Sequence, residues 1–174
     1  MVEAKIAGAV MIIAAASLMG FLYSHELQKR IENLYEIQRI LVMLRGEMKY
    51  HQAPITEVFQ GMKGHVNIEF QQLFTKAAEN LQQSHGKTIG QIWLECCDLL
   101  LEKISLSKED RQEFRRLGEI LGYLDTDTQA AGFELYGQKI ELRIQKCSKE
   151  LAGKQRLIRC LGIMGGIFVV IFFI

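Results

Sequence analysis

The sequence has little proline, and its few cysteines and histidines lack the spacing of a metal or redox site. It has one proline in 174 residues, and none of its four cysteines stands at C-x-x-C spacing. The four histidines are scattered, and none pairs with another histidine or with a cysteine at ligand spacing. These shortages argue against a zinc site or a dithiol redox centre. We expect the cysteines to be reduced and most of them to be buried.

Charge is missing from the two ends of the chain but not from its middle. The balance of 21 basic and 20 acidic residues gives no overall attraction to nucleic acid. No charged residue occurs in 6–24 or in 160–174, whereas the segment between them is rich in charge. This distribution is typical of a soluble domain between two apolar segments.

The apolar ends predict two transmembrane helices, over residues 6–24 and 157–174. The first run, Ile6 to Tyr23, has 18 residues, which is close to the minimum for crossing a hydrocarbon core of ~30 Å. A cleaved signal peptide is the alternative, but the helical pattern that follows at once favours an uncleaved anchor. The second run includes Arg159, whose guanidinium can reach the lipid headgroups. A buried core helix is the alternative there, although such a helix is normally amphipathic.

Basic residues predict that the middle segment faces the cytoplasm, because basic loops stay on that side of a membrane. They flank the inner ends of both spans: Lys29, Arg30, Arg39, Arg143, Lys146, Lys149, Lys154, Arg156 and Arg159. Both termini would then be extracytoplasmic, and the two spans would form a hairpin. Small residues four apart, Ala16 with Gly20 and Gly162 with Gly166, predict where the spans touch.

The middle segment, residues 25–156, has the pattern of an all-α bundle. One apolar stripe follows the first span directly, at Leu27, Ile31, Leu34, Ile37, Leu41, Leu44 and Met48. Pro54 is expected to stop this helix and to begin a short one. Thr88 with Gln91 and Ser107 with Asp110 resemble N-terminal helix caps. We expect five or six helices in a compact bundle, the first and last of them long.

Trp93 is the only tryptophan and is expected to lie in the core of this bundle. It shares a helical stripe with Ile89, Ile92, Cys96, Leu99 and Leu100, which are expected to face inward as well. The last helix is expected to start near Asp125 or Thr126 and to run unbroken into the second span.

No set of residues has the spacing of a catalytic or nucleotide-binding site. The residues G-K-T at Gly86 to Thr88 resemble the end of a phosphate-binding loop, but Leu81 stands where that loop needs its first glycine. We therefore predict a protein that is not an enzyme and holds no cofactor or metal.

Two motifs give the chain a resemblance to the bacterial stage III sporulation protein AB family, and the resemblance covers essentially the whole chain. The segment LRGEMKYHQAPITEVF matches the first motif with Glu47, Tyr50, Pro54 and Glu57 in register. The segment LGEILGYLDTDTQ matches the second with Gly118, Gly122, Asp125 and Gln129 in register. Ala53 and Leu124 stand where the family usually has a threonine and a serine.

This resemblance implies a platform component of a secretion-like channel between mother cell and forespore in endospore-forming bacteria. The family is similar to the F-type inner-membrane platform proteins of type II secretion and type IV pilus systems. It implies a location in the outer forespore membrane, on the mother-cell side. The implied partners are a cytosolic secretion-type ATPase and other membrane components of the channel. No nucleic-acid partner is expected, and a homo-oligomer stays open.

The two motifs also supply the candidate partner-binding residues: Tyr50, Pro54, Glu57, Gly122, Asp125 and Gln129. The turn at Pro54 comes about 30 residues after the first span, and the turn from Gly122 to Gln129 lies a similar distance before the second. Thirty residues of helix extend ~45 Å, so both turns would lie far from the membrane. Glu57 and Gln129 are expected to be exposed there. The plainer interpretation is that these residues only cap and turn helices.

Two other classes of function stay open at this point. One is a membrane-anchored enzyme with a dispersed site. The other is a membrane-anchored helical adaptor or sensor that acts outside sporulation.

Overall fold

The structure, a computed structural model, describes the backbone of residues 2–48, 54–83, 86–123 and 125–173. Within the helices it leaves out the side chains of 2–7, 9–10, 12–17, 126, 158–159 and 161–173. Across the described residues there are six α-helices and no strand: α1 (Val2–Gly46), α2 (Ile55–Met62), α3 (Ile68–Gln83), α4 (Ile89–Leu100), α5 (Lys108–Leu121) and α6 (Thr126–Phe173). The predicted all-α class is confirmed, and so is the unbroken last helix.

The chain divides into two units, which are described separately. One comprises the residues up to Ile31 and those from Gln145 onward, and the other runs from Glu32 to Ile144. We call the second unit the bundle. It contains α2 to α5 together with the adjoining parts of α1 and α6.

Local signals in the sequence set the starts of the inner helices. The carbonyl oxygen of Pro54 accepts hydrogen bonds from the next turn and begins α2. Thr88 caps α4 and Ser107 caps α5, each through the predicted reciprocal capping box. In α1 the predicted stripe is buried through Leu44, while Met48 is half-buried.

Aromatic rings form the centre of the bundle. Trp93 is fully buried, as predicted, and its ring centroid lies 5.7 Å from that of Phe59, 5.8 Å from Phe74 and 5.2 Å from Phe114. Its indole Nε1 donates a 3.1 Å hydrogen bond to the carbonyl oxygen of Phe114. A Cβ added at Gly118 would lie 2.8 Å from the Trp93 ring, so only glycine lets α5 approach α4 this closely.

The expectation that Leu99 faces the core is wrong. Its side chain is 64% exposed and lines a groove beside the polar residues Gln72 and Thr75 of α3. The inward positions at this end are taken by Cys97 and by Leu101, which begins a short 3₁₀ helix, Leu101–Lys103. Leu101 follows the buried Trp93 and Cys97 at intervals of four residues, on the same face of the helix, whereas Leu99 lies off that face.

The other unit joins the early part of α1 to the late part of α6. The Lys154 Nζ lies 3.3 Å from the centroid of the Tyr23 ring, a cation–π contact. Glu150 accepts hydrogen bonds from both residues, at 3.1 Å from Lys154 and 3.3 Å from Tyr23. Among the residues whose side chains are described, no helix has an apolar stretch long enough to cross a membrane. The predicted spans fall largely on side chains outside that set.

Candidate functional site

The two family motifs lie at the same end of the bundle. Arg45, one residue before the end of α1, donates a 2.6 Å hydrogen bond to Glu134, in the third turn of α6. This contact shows that the end of α1 lies beside the start of α6, so the turn before α2 and the turn before α6 share one end. We call this end, with Pro54, Glu57, Gly122 and Asp125, the turn surface.

The first part of the turn surface is the start of α2. Pro54 and Glu57 are exposed, and Glu57 lies in the first turn of the helix. A carboxylate there is favoured by the helix dipole and is also free to meet a partner. Tyr50, the remaining candidate of this motif, lies outside the described residues.

The second part is the connection from α5 to α6, where Asp125 acts as the N-cap of α6. Its carboxylate accepts a 2.7 Å hydrogen bond from the Thr128 backbone N–H. Hydrogen bonds from the Thr128 hydroxyl and backbone lower the pKa of Asp125 below its usual value. Gly122 ends α5 with φ −83°, which any residue can adopt. Asp125 therefore caps α6 while its side chain remains exposed.

Gln129 is not exposed, and the expectation that it is exposed is wrong. Its side chain is 5% exposed, and its Nε2 donates to the carbonyl oxygen of Ile120 at 3.1 Å. The same carbonyl oxygen accepts a 3.2 Å hydrogen bond from the backbone N–H of Tyr123, so the amide of α6 adds a second donor at the end of α5, where carbonyls have no i+4 partner within the helix. The sequence pattern placed Gln129 in the first turn of α6, but it could not show that this side chain faces the end of α5.

Buried charges fasten α6 to α5, and nothing in the sequence had indicated this pairing, although Asp110 was expected at the cap of α5. Asp110 is fully buried, and its carboxylate accepts a 2.7 Å hydrogen bond from Arg143. Glu113 beside it pairs with Lys139 at 3.0 Å. The Tyr136 hydroxyl is buried here without a partner among the described residues. Burial, and then the nearby Glu113, raises the pKa of Tyr136 well above its usual value.

Two polar residues of α1 fasten that helix in a similar way. Glu36 accepts a 2.7 Å hydrogen bond from the backbone N–H of Asn67, at the start of α3. Asn33 donates to the carbonyl oxygen of Ser105 at 3.2 Å. On a helical wheel Asn33 and Glu36 lie next to the apolar stripe of α1. This position was the only feature of the sequence that could have indicated their role.

The cysteines have the environment of structural thiols. Cys96, Cys97 and Cys147 are buried and Cys160 is exposed, and none of the four forms a disulfide bond. Burial raises the pKa of the Cys97 thiol well above its usual range, which keeps it protonated and unreactive. Among the described residues no group of histidine, cysteine and carboxylate side chains is arranged to hold a metal.

The predicted contact between the spans cannot be followed at most of its positions. Gly20 is half-exposed, whereas Ala16, Gly162 and Gly166 lie outside the described side chains. Their roles stay predictions.

The bundle and its turn surface define an all-helical module, in which the exposed motif residues lie at or next to the ends of α2, α5 and α6. The chain belongs to the stage III sporulation protein AB family, whose model matches residues 5–174. It is 21% identical to stage III sporulation protein AB of Bacillus subtilis (strain 168), over 96% of this chain and 97% of that protein. A solved structure of a stage III sporulation protein AB has the same fold, with a TM-score of 0.66, 18% identity, and coverage of 71% of this chain and 97% of that one.

Proposed function

We propose that the protein is a membrane-anchored, non-enzymatic platform that recruits a cytosolic secretion-type ATPase to a channel between mother cell and forespore. Other membrane components of the channel would join it through the two spans. The observation that carries this proposal is the meeting of both family motifs on one end of the bundle. Within the bundle, that end is opposite to the one at which α1 enters and α6 leaves.

The membrane anchor is supported by the first unit's exposed apolar side chains. Leu18, Met19, Phe21 and Leu22 follow one another around α1, and each is more than half exposed. A helix that is apolar on all sides needs an apolar surrounding, since water would not stabilise it. The uncharged sequence of 160–174 supports a second span in the same way.

The topology has a direct test. A reporter inserted at Gly86, an exposed loop residue with open space around it, should give a cytoplasmic signal. A reporter at the C-terminus should give an extracytoplasmic one. The same signal from both positions would rule out the proposed hairpin.

The docking role is best tested with Glu57, because Gln129 and Asp125 are engaged in the fold. Glu57→Ala should weaken recruitment of the ATPase to membranes and reduce spore formation, while the unfolding temperature stays nearly unchanged. Glu69→Ala is the matched control, since Glu69 is an exposed glutamate in the first turn of α3. Normal recruitment and sporulation in a stable Glu57→Ala, Pro54→Ala double variant would refute docking at this surface. Equal defects from Glu57→Ala and Glu69→Ala would do so too.

A further inference from the structure

A shallow groove runs between α1 and α6 on the flank of the bundle, and the Arg45–Glu134 pair beside the turn surface forms part of its lining. Its volume is about 220 Å³, and the buried side chains of Leu41 and Phe133 contribute to its lining. Gly137 lines it from α6, and a Cβ added there would meet nothing within 4 Å. The groove is therefore open space that a side chain from outside can enter.

Exposed apolar side chains lie on the outward sides of both helices, and one of them, Val42, lines the groove itself. On α1 they are Tyr35 and Val42, which are 54% and 60% exposed. On α6 they are Leu135 and Leu142, which are 57% and 66% exposed and lie on either side of Gln138, a residue that lines the groove. Within each helix the two residues are seven apart, so they share one face. We call this surface the α1/α6 face.

Charge is divided between the two helices of the α1/α6 face. On α1 Arg45 lines the groove and Arg39 is exposed six residues before it, whereas on α6 Glu134 and Glu141 line the groove. The basic residues of α6 at this level, Lys139 and Arg143, are directed to Glu113 and Asp110 of α5. One helix edge is thus basic and the other acidic, although Arg39 and Arg45 also pair within the chain.

From this pattern we propose that the α1/α6 face binds the same face of a second copy of the chain. A two-fold axis parallel to the helices sets α1 of one copy against α6 of the other, so basic edges meet acidic edges. An axis perpendicular to the helices would set α1 against α1 and bring like charges together. In the first arrangement Val42 and Leu142 of one copy pack at the groove of its partner. The four helices then form a bundle of their own.

The face extends over about ten residues of two adjacent helices, so it measures ~15 Å by ~20 Å, or about 300 Å². This area is small beside the ~800 Å² per partner of a standard interface. The dimer should accordingly dissociate in the micromolar range in detergent. Light scattering of the full chain in micelles, between about 1 and 100 μM, measures this directly. A chain that stays monomeric throughout overturns the proposal, even if the same face proves important for sporulation through another partner.

A variant pair separates this face from other sources of association. Leu142→Glu should weaken the dimer at least tenfold, whereas Leu99→Glu should leave it unchanged, because Leu99 is as exposed but lies beside α3. A dimer that survives Leu142→Glu but is lost in Gly166→Leu would place association in the C-terminal apolar segment and overturn the proposal. The proposed ATPase docking does not depend on either result.

A charge exchange tests the arrangement of the two copies. Arg39→Glu alone and Glu141→Arg alone should each weaken self-association, because each homodimer then contains two like-charge contacts. A mixture of the two variants, carrying different tags, should form a heterodimer in which both contacts again join opposite charges. Failure of the mixture to associate would overturn the pairing of α1 with α6.

Discussion

The short inner helices and the two long outer helices are held in the bundle by different chemistry. Around Trp93, helices α2 to α5 pack through aromatic rings and a close contact at Gly118. The outer helices add buried polar anchors to their apolar stripes: Glu36 in α1 and Arg143 in α6. Apolar packing tolerates small shifts of one helix along another, whereas a buried hydrogen bond or ion pair is satisfied in one register only. We infer that these buried polar anchors fix the register of the two long helices in the bundle.

The largest expected effect falls on the inner helices. Trp93→Ala should lower the free energy of unfolding by about 3–5 kcal/mol, because it removes the shared centre of three ring contacts. Leu94→Ala, on the partly exposed neighbour, should cost under about 1 kcal/mol. Denaturant unfolding followed by circular dichroism measures both. Similar costs for the two variants would mean that the aromatic cluster does not hold the inner helices.

The next effect falls on the anchor of α6. Arg143→Met keeps most of the apolar stem but leaves the buried Asp110 without its cation, so we expect a loss of about 3 kcal/mol. Arg116→Met removes an exposed partner of the neighbouring Glu113 and should cost less than about 1 kcal/mol. Equal costs in the same unfolding experiment would show that burial of the pair is not what matters.

The anchor of α1 should have a smaller effect. Glu36→Ala removes the acceptor for the Asn67 backbone N–H, which should cost about 1–2 kcal/mol. Arg39→Ala removes only the exposed partner of Glu36 and keeps that hydrogen bond, so its unfolding midpoint should hardly move. Amide exchange at Asn67 is the most specific readout, and it should speed up in Glu36→Ala alone. Protection of Asn67 in that variant would contradict the assignment.

The smallest effect concerns the cap of α6 and depends on pH. Because hydrogen bonds to the carboxylate lower the pKa of Asp125, its contribution to stability is present at neutral pH and is lost as pH falls through that lowered pKa. Asp125→Ala should lower the melting temperature slightly at pH 7, and the difference from the unchanged chain should shrink in acid. Gly122→Ala should have little effect at either pH. A difference that grows in acid would contradict the capping role.

The sequence by itself determined the features that depend on neighbouring residues. The capping boxes at Thr88 and Ser107 were predictable because each joins residues three apart. The burial of Trp93 and of the α1 stripe followed from a 3.6-residue period, and the two motifs indicated the family that the comparison confirmed.

Only the tertiary structure decided which side chains at the edges of a helix meet a neighbour. Gln129 is buried because the open end of α5 lies beside it, and Leu99 is exposed because polar residues of α3 face it. The anchors Asp110 with Arg143 and Glu36 with Asn67 join residues 33 and 31 positions apart. A helical period gives the direction of a side chain around its own axis. It carries no information on which helix lies in that direction, and the packing of the whole bundle supplies that.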